Sequence, residues 1–101
     1  MTAMPGPVTN DQEMTGTTVE VTVLTQPDCR FCELAAEVLA RVGRDHPLSV
    51  RHIDLASPDG RDLAAQHGVL FAPGILLDGQ MFSYGRLSER RLRRHLTRTT
   101  R

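Results

Sequence analysis

The sequence predicts one α/β domain of order β-α-β-α-β-β-α, a four-stranded mixed sheet flanked by helices. A β-branched run at residues 19–25 gives way within a few residues to apolar positions at helical spacing. A second β-branched run follows that helix, and two strands around one short helix make a βαβ unit with parallel strands. Asp78-Gly79 then separates two apolar runs, the pattern of a tight hairpin turn.

Residues 1–17 hold two prolines and two glycines with no apolar periodicity, and are read as a disordered tail that only solvates. The domain is expected over residues 18–97, with 98–101 a basic C-terminal end. Val19–Thr25 is the first strand, broken by Gln26-Pro27-Asp28. Leu34, Ala35, Val38, Leu39 and Val42 predict a helix over about Phe31 to Arg44, with Glu37 and Arg41 as an i,i+4 pair on its outer face. Gly43 and His46-Pro47 end it. Leu48 to Leu55 is the second strand. Ser57 caps the next helix with Pro58 at its first position, and Gly68 follows its last turn. Ile75-Leu76-Leu77 and Gln80 to Tyr84 form the hairpin. Ser88-Glu89 caps a last helix whose thin apolar face is Leu92 and Leu96, entered by Leu87. Helices before each later strand imply a sheet covered on both faces. Phe31, Phe71, Phe82 and Tyr84 are read as core or rim and Met81 as core filling.

At 101 residues the chain buries one core, and 40% apolar with 24% charged residues is ordinary globular composition. The net charge of zero gives the whole chain no electrostatic preference for nucleic acid or membrane. Its distribution is uneven: residues 86–101 carry seven arginines against Glu89 alone. No stretch approaches the length of a membrane span, and no basic-then-apolar signal pattern stands at the start, so cytoplasm is the expected compartment. Two cysteines cannot staple a secreted scaffold, and CxxC in a cytosolic chain points to redox chemistry or a metal.

The chemistry gathers at Cys29-Arg30-Phe31-Cys32, where the first strand hands over to the first helix. Unpaired N–H groups and the positive end of the helix dipole stabilise an anion there, and for Cys29 that anion is the attacking thiolate. Arg30 adds a full positive charge and Asp28 opposes it. The helix terminus and Arg30 together predict a Cys29 pKa below the free thiol value of about 8.5. Residues three apart share a helix face, so Cys32 can close a disulfide with Cys29. Cys32, one turn in, is expected to be the more buried.

Thr25-Gln26-Pro27-Asp28-Cys29-Arg30-Phe31-Cys32, Phe71-Ala72-Pro73 and the Asp78-Gly79 hairpin leading to Tyr84-Gly85-Arg86 together resemble the thioredoxin-like superfamily. The shortness and the lack of an extra N-terminal strand resemble its glutaredoxin and bacterial glutaredoxin-like branch. The resemblance covers residues 18–97 and implies a thioredoxin-like fold. It makes Cys29 the nucleophile, Cys32 the resolving thiol and Pro73 a cis-proline facing them. Ala72 then offers its backbone to an extended substrate, and Gly85 borders a glutathione-type site. Arg30, Phe31, Ala72, Pro73, Tyr84 and Gly85 are thus the substrate-binding candidates. Arg30-Phe31 departs from the Gly-Pro of thioredoxins and the Pro-Tyr of glutaredoxins. The lysine that glutaredoxins place before the motif is replaced by Thr25-Gln26.

The expected function is therefore a thiol–disulfide oxidoreductase acting on protein or low-molecular-weight disulfides, as a monomer and without a cofactor. An outside thiol or reductase reopens it; membrane and nucleic acid are not expected partners. Two alternatives stand beside this reading. One is a non-catalytic binding protein on the same fold. The other is a metal site on the same cysteines, either zinc with His46 and His52 or a shared iron–sulfur centre. A zinc finger of that spacing needs both histidines on one helix, whereas His46-Pro47 ends a helix here and His52 lies in a strand. The arginine-rich end reads as a solvated amphipathic helix with cations near its C-terminus, with a basic patch for nucleic acid or an acidic partner as the alternative.

Overall fold

The computed structural model describes residues 18–99. Its elements are β1 (Val19–Thr25), α1 (Arg30–Val42), β2 (Leu48–Asp54), α2 (Pro58–His67), β3 (Gly74–Leu77), β4 (Gln80–Tyr84) and α3 (Glu89–Thr99). The strands lie in the order β2-β1-β3-β4, with β1 parallel to β2 and antiparallel to β3, and β3 antiparallel to β4. This is the expected α/β architecture with a mixed sheet. The 1–17 tail lies outside the described residues. Arg98 is part of α3 rather than of a separate basic end.

Strand alternation divides the core. Val19, Val21 and Val23 of β1, with Ile75 and Leu77 of β3, pack against α1 and α3. Those helices contribute Ala35, Val38, Leu39 and Val42 on one side and Leu92 and Leu96 on the other. On the opposite face Leu24 and Leu76 are buried, and Val69, just after α2, lies close enough to Gly74 that a Cβ there would sit 3.0 Å from Val69 Cγ1. The expected cover of both faces fails at β2. This edge strand is thinly covered: only Leu48 and Ile53 are half-buried, and Val50 is exposed beside a pocket it shares with Ala36, Leu39 and Ala40 of α1.

The capping chemistry is largely as expected. Ser57 Oγ accepts from Gly60 N–H at 3.0 Å, and Gly68 closes α2 at φ 70°. Asp78 and Gly79 take φ of 49° and 81°, the positive pair that a two-residue primed turn demands. Asp78 also accepts from Glu20 N–H at 2.9 Å, tying the hairpin tip to the start of β1. A bulge in the β3–β4 ladder makes Phe82 the extra residue of β4. Phe82 packs half-buried against the core, Met81 is half-buried, and Ser83 Oγ beside the bulge is buried with no hydrogen-bond partner among the described residues.

One expected contact is replaced. Arg41 does not pair with Glu37; it donates from Nε and Nη2 to Glu89 Oε1 at 3.0 and 2.9 Å. Glu89 Oε2 accepts from Arg93 Nε at 3.0 Å, and Arg93 Nη1 reaches Asp45 at 2.7 Å. Packing α3 against α1 brings Glu89 to Arg41, so an inter-helix clamp supplants the intrahelical pair. The two guanidinium groups hold the Glu89 carboxyl below its ordinary pKa.

Candidate active site

β1 delivers the site. After Thr25 the chain turns through Gln26-Pro27-Asp28, with Asp28 in the left-handed region at φ 53°. Cys29 then takes extended backbone angles (φ −111°, ψ 105°) as the N-cap of α1. Its Sγ accepts from Cys32 N–H at 3.1 Å, and its carbonyl accepts from Glu33 N–H at 3.1 Å. A sulfur therefore occupies the capping position that an Asp or Ser oxygen usually fills. Cys29 and Cys32 form a disulfide across a Cα–Cα distance of 5.1 Å. Cys29 is half-buried and Cys32 buried, the expected order.

The side chains between them turn outward. Phe31 is 46% exposed. The Arg30 guanidinium lies 3.4 Å from Glu33 Oε1, both side chains well exposed, so water and Glu33 weaken whatever field it casts on the sulfurs.

The other expected site residues gather at the same end of the sheet. Leu24 pairs with Gly74, and Gly74 with Tyr84, so the residues before Gly74 and after Tyr84 flank the exit of β1 toward Cys29. The Ala72–Pro73 peptide bond is cis, and both residues are buried. Pro73 carbonyl accepts from Gly85 N–H at 2.8 Å. Gly85 requires its glycine because φ is 81°, and a Cβ there would sit 3.0 Å from Phe71 Cε1, pushing on that ring. Phe71 meets Tyr84 edge to face, with ring centroids 5.1 Å apart.

Of the four aromatic residues expected at the core or its rim, only Phe82 packs against the core; Phe31, Phe71 and Tyr84 are 46%, 53% and 39% exposed. Leu70 and Phe71 were missed as surface residues. Leu70 is 76% exposed beside Phe71, and β3 begins at Gly74, so residues 69–71 stand outside the sheet. Pro73 cannot donate to a ladder, and its fixed φ holds the preceding segment outside the sheet.

The histidines of the zinc alternative do not converge on the cysteines. His46 stands before β2, at the end of the parallel β1–β2 pair remote from Cys29, and His52 lies in β2. Among the described residues no three His, Cys, Asp or Glu side chains group to hold a metal ion, and no helix is long and apolar enough to cross a membrane.

Residues 20–97 match the family model of the glutaredoxin-like domain. The chain belongs to that family. An uncharacterized protein of Mycobacterium bovis is 34% identical over 84 residues, spanning 80% of this chain and 86% of its own length. Proteins of two Mycobacterium tuberculosis strains match to the same extent. In three dimensions the glutaredoxin-like chain is similar to a point mutant of thioredoxin from Halobacterium salinarum (TM-score 0.64, 22% identity, 82% of this chain and 75% of that one). Thioredoxin O2 of Arabidopsis thaliana in its oxidized state is similar too (TM-score 0.63, 16% identity, 86% and 79%). These likenesses show a thioredoxin-like fold, and the CxxC disulfide on it supports redox function with thiol or disulfide partners.

Proposed function

We propose that this glutaredoxin-like chain is a thiol–disulfide oxidoreductase that reduces protein or small-molecule disulfides. The observation that carries the reading is Cys29 at the cap of α1, its sulfur accepting the Cys32 N–H and bonded to the Cys32 sulfur. In the reduced state the N–H groups of the first turn meet a thiolate on Cys29, lowering the cost of its charge. That thiolate attacks one substrate sulfur, forming a mixed disulfide and releasing the other sulfur as a thiolate that takes up a proton. Cys32 loses its proton and attacks Cys29 Sγ, expelling the second substrate thiol and closing Cys29–Cys32. Two electrons pass from the dithiol to the substrate. An external thiol or dithiol reductase returns them, so no resident cofactor is required.

The substrate backbone runs along Ala72 and Pro73, with Phe31, Tyr84 and Gly85 at the borders of the groove and Arg30 at its rim. The cytoplasm, where such a dithiol is kept reduced, is the compartment that suits this work, and a monomer suffices for it.

Single substitutions separate the two thiols. Cys29→Ser abolishes reduction of a peptide disulfide. Cys32→Ser still performs the first attack and accumulates a mixed disulfide with the peptide, visible by intact mass. If Cys29→Ser retains turnover, or if Cys32→Ser traps nothing, the assignment of the two roles is wrong.

A further inference from the structure

α3 and its lead-in carry six arginines within the described residues, and they divide into two kinds. Arg93 serves the fold through Glu89 and Asp45, and Arg91 lies over the Phe82 ring, 5.3 Å from its centroid. Arg86, Arg90, Arg94 and Arg98 are exposed, and none has an ion-pair partner among the described residues. Arg90, Arg94 and Arg98 recur every fourth residue, so they share one face of α3 as like charges that repel one another. The helix dipole favours Arg98 in the last turn of α3 but disfavours Arg90 in the first, so helix stability alone does not account for the row. The acid at its start, Glu89, is already taken by Arg41 and Arg93. The chain as a whole is neutral, so this face is segregated charge rather than general basicity.

We propose that this arginine face is a docking surface for an acidic patch on the disulfide-bearing partner protein. The inference rests on the oxidoreductase reading and adds what selects the partner. Position supports it. Arg86 follows Gly85, which bonds the Pro73 carbonyl, so the basic face begins where the substrate groove ends. A groove of about 600 Å³ includes Arg86 and Arg90 in its lining, together with Leu34, Val38, Leu87, Glu37 and the paired Arg41 and Glu89. From Arg90 to Arg98 the helix extends the stripe about 12 Å away from that groove. A partner that places its disulfide over Cys29 and a cluster of carboxylates along the Arg90–Arg98 stripe matches both ends. Guanidinium forks pair readily with carboxylates, and such complementarity accelerates encounter more than it tightens the complex. α3 itself carries no aromatic ring but His95, and the neighbouring Phe82 lies under Arg91, so no exposed ring interleaves the arginines to stack a base, which favours a protein over a nucleic acid.

The test uses two synthetic peptides with the same intramolecular disulfide and flanking residues, one ending in a run of glutamates and the other in a run of glutamines. The neutral disulfide of 2-mercaptoethanol is the control. At about 20 mM salt the glutamate peptide is expected to be reduced roughly tenfold faster than the glutamine peptide, and at about 300 mM the two rates converge. The triple variant Arg90→Gln, Arg94→Gln, Arg98→Gln loses the preference, and Arg90→Glu, Arg94→Glu, Arg98→Glu inverts it; both leave the neutral control unchanged. Equal rates for the two peptides with the unsubstituted chain, or a preference that survives both triple variants, overturns the proposal. So does tighter binding of a labelled RNA duplex than of the glutamate peptide. If the unsubstituted chain reduces no disulfide at all, the oxidoreductase reading has failed separately. Docking is then read from the anisotropy of fluorescent versions of the two peptides: selective capture of the glutamate peptide, lost in the glutamine variant, supports it, and no capture overturns it.

Discussion

Gly60 is the third residue of α2, where alanine is the better helix former by about 1 kcal/mol. The structure reverses that sign. A Cβ at Gly60 would run into the Asp54 carbonyl and come within 3.0 Å of Leu55 Cα, both backbone atoms with no rotamer to escape by. Gly60→Ala is therefore expected to destabilise the chain by about 2–3 kcal/mol, read as a lower urea midpoint. A neutral or raised midpoint would mean that α2 lifts off the end of β2 at little cost. Residues of this kind separate what a sequence tells from what it hides. Cys29, Cys32 and the cap Ser57 were legible because their chemistry is local, set by neighbours three residues away. Gly60 was not, because its reason lies in another segment of chain. The same holds for Phe71, exposed because Pro73 keeps its segment off β3 and set by its contact with Gly85, fourteen residues further on.

Among the elements, α3 shows how little apolar surface a helix needs when its two leucines are fully used. Leu92 and Leu96 are both 0% exposed, so Leu96→Ala is expected to cost about 2–5 kcal/mol and to release α3 from α1 and the sheet. The clamp around Glu89 adds an electrostatic latch whose pH dependence has a definite sign. Hydrogen bonds from Arg41, then from Arg93, lower the Glu89 pKa from its usual value of 4.5. An acid with a depressed folded-state pKa contributes stability that is complete above the unfolded value and is lost as pH falls through the folded one. From pH 6 down to pH 3 the unsubstituted chain should thus lose more stability than Glu89→Gln, and the two curves should converge in acid. Parallel urea midpoints across that range would show that solvent screens the latch completely. The existence of α3 was legible in Ser88-Glu89 and the Leu92–Leu96 spacing. The partner of Arg41 was not, because Glu37 one turn away and Glu89 on another helix are equally plausible until the helices are docked.

For the whole molecule, the topology gathers at one end of the sheet everything the chemistry needs. β1 runs into Cys29, while the antiparallel β3 starts there with Pro73 just before it and β4 ends there at Tyr84. The βαβ unit and the Asp78-Gly79 hairpin could be read from residue patterns, but the β1–β3 pairing that joins them and brings Pro73 to the Cys29 end was implied only by the family resemblance. The thinness of cover over β2 could not be read at all, because how far the helices cover an edge strand depends on how they pack. Global stability then reports on the direction of electron flow. Closing the four-residue loop Cys29–Cys32 removes little entropy from the unfolded chain, about 2 kcal/mol on the chain-entropy relation. Against that, the α1 N-terminus stabilises the Cys29 thiolate in the folded, reduced chain. The oxidised-minus-reduced difference in unfolding free energy is also the ratio of disulfide stability in the folded and unfolded chains, since the four states form a closed cycle. Each 1.4 kcal/mol of that difference is about 30 mV. A reductase holds its own disulfide more firmly when folded than when unfolded. The oxidised chain is therefore expected to be the more stable, by at most about 2 kcal/mol, in paired urea titrations with and without reductant. A reduced chain that outlasts the oxidised one would reverse the assignment, because the folded structure would then favour the dithiol. The molecule would accept electrons from its partners and give its disulfide away.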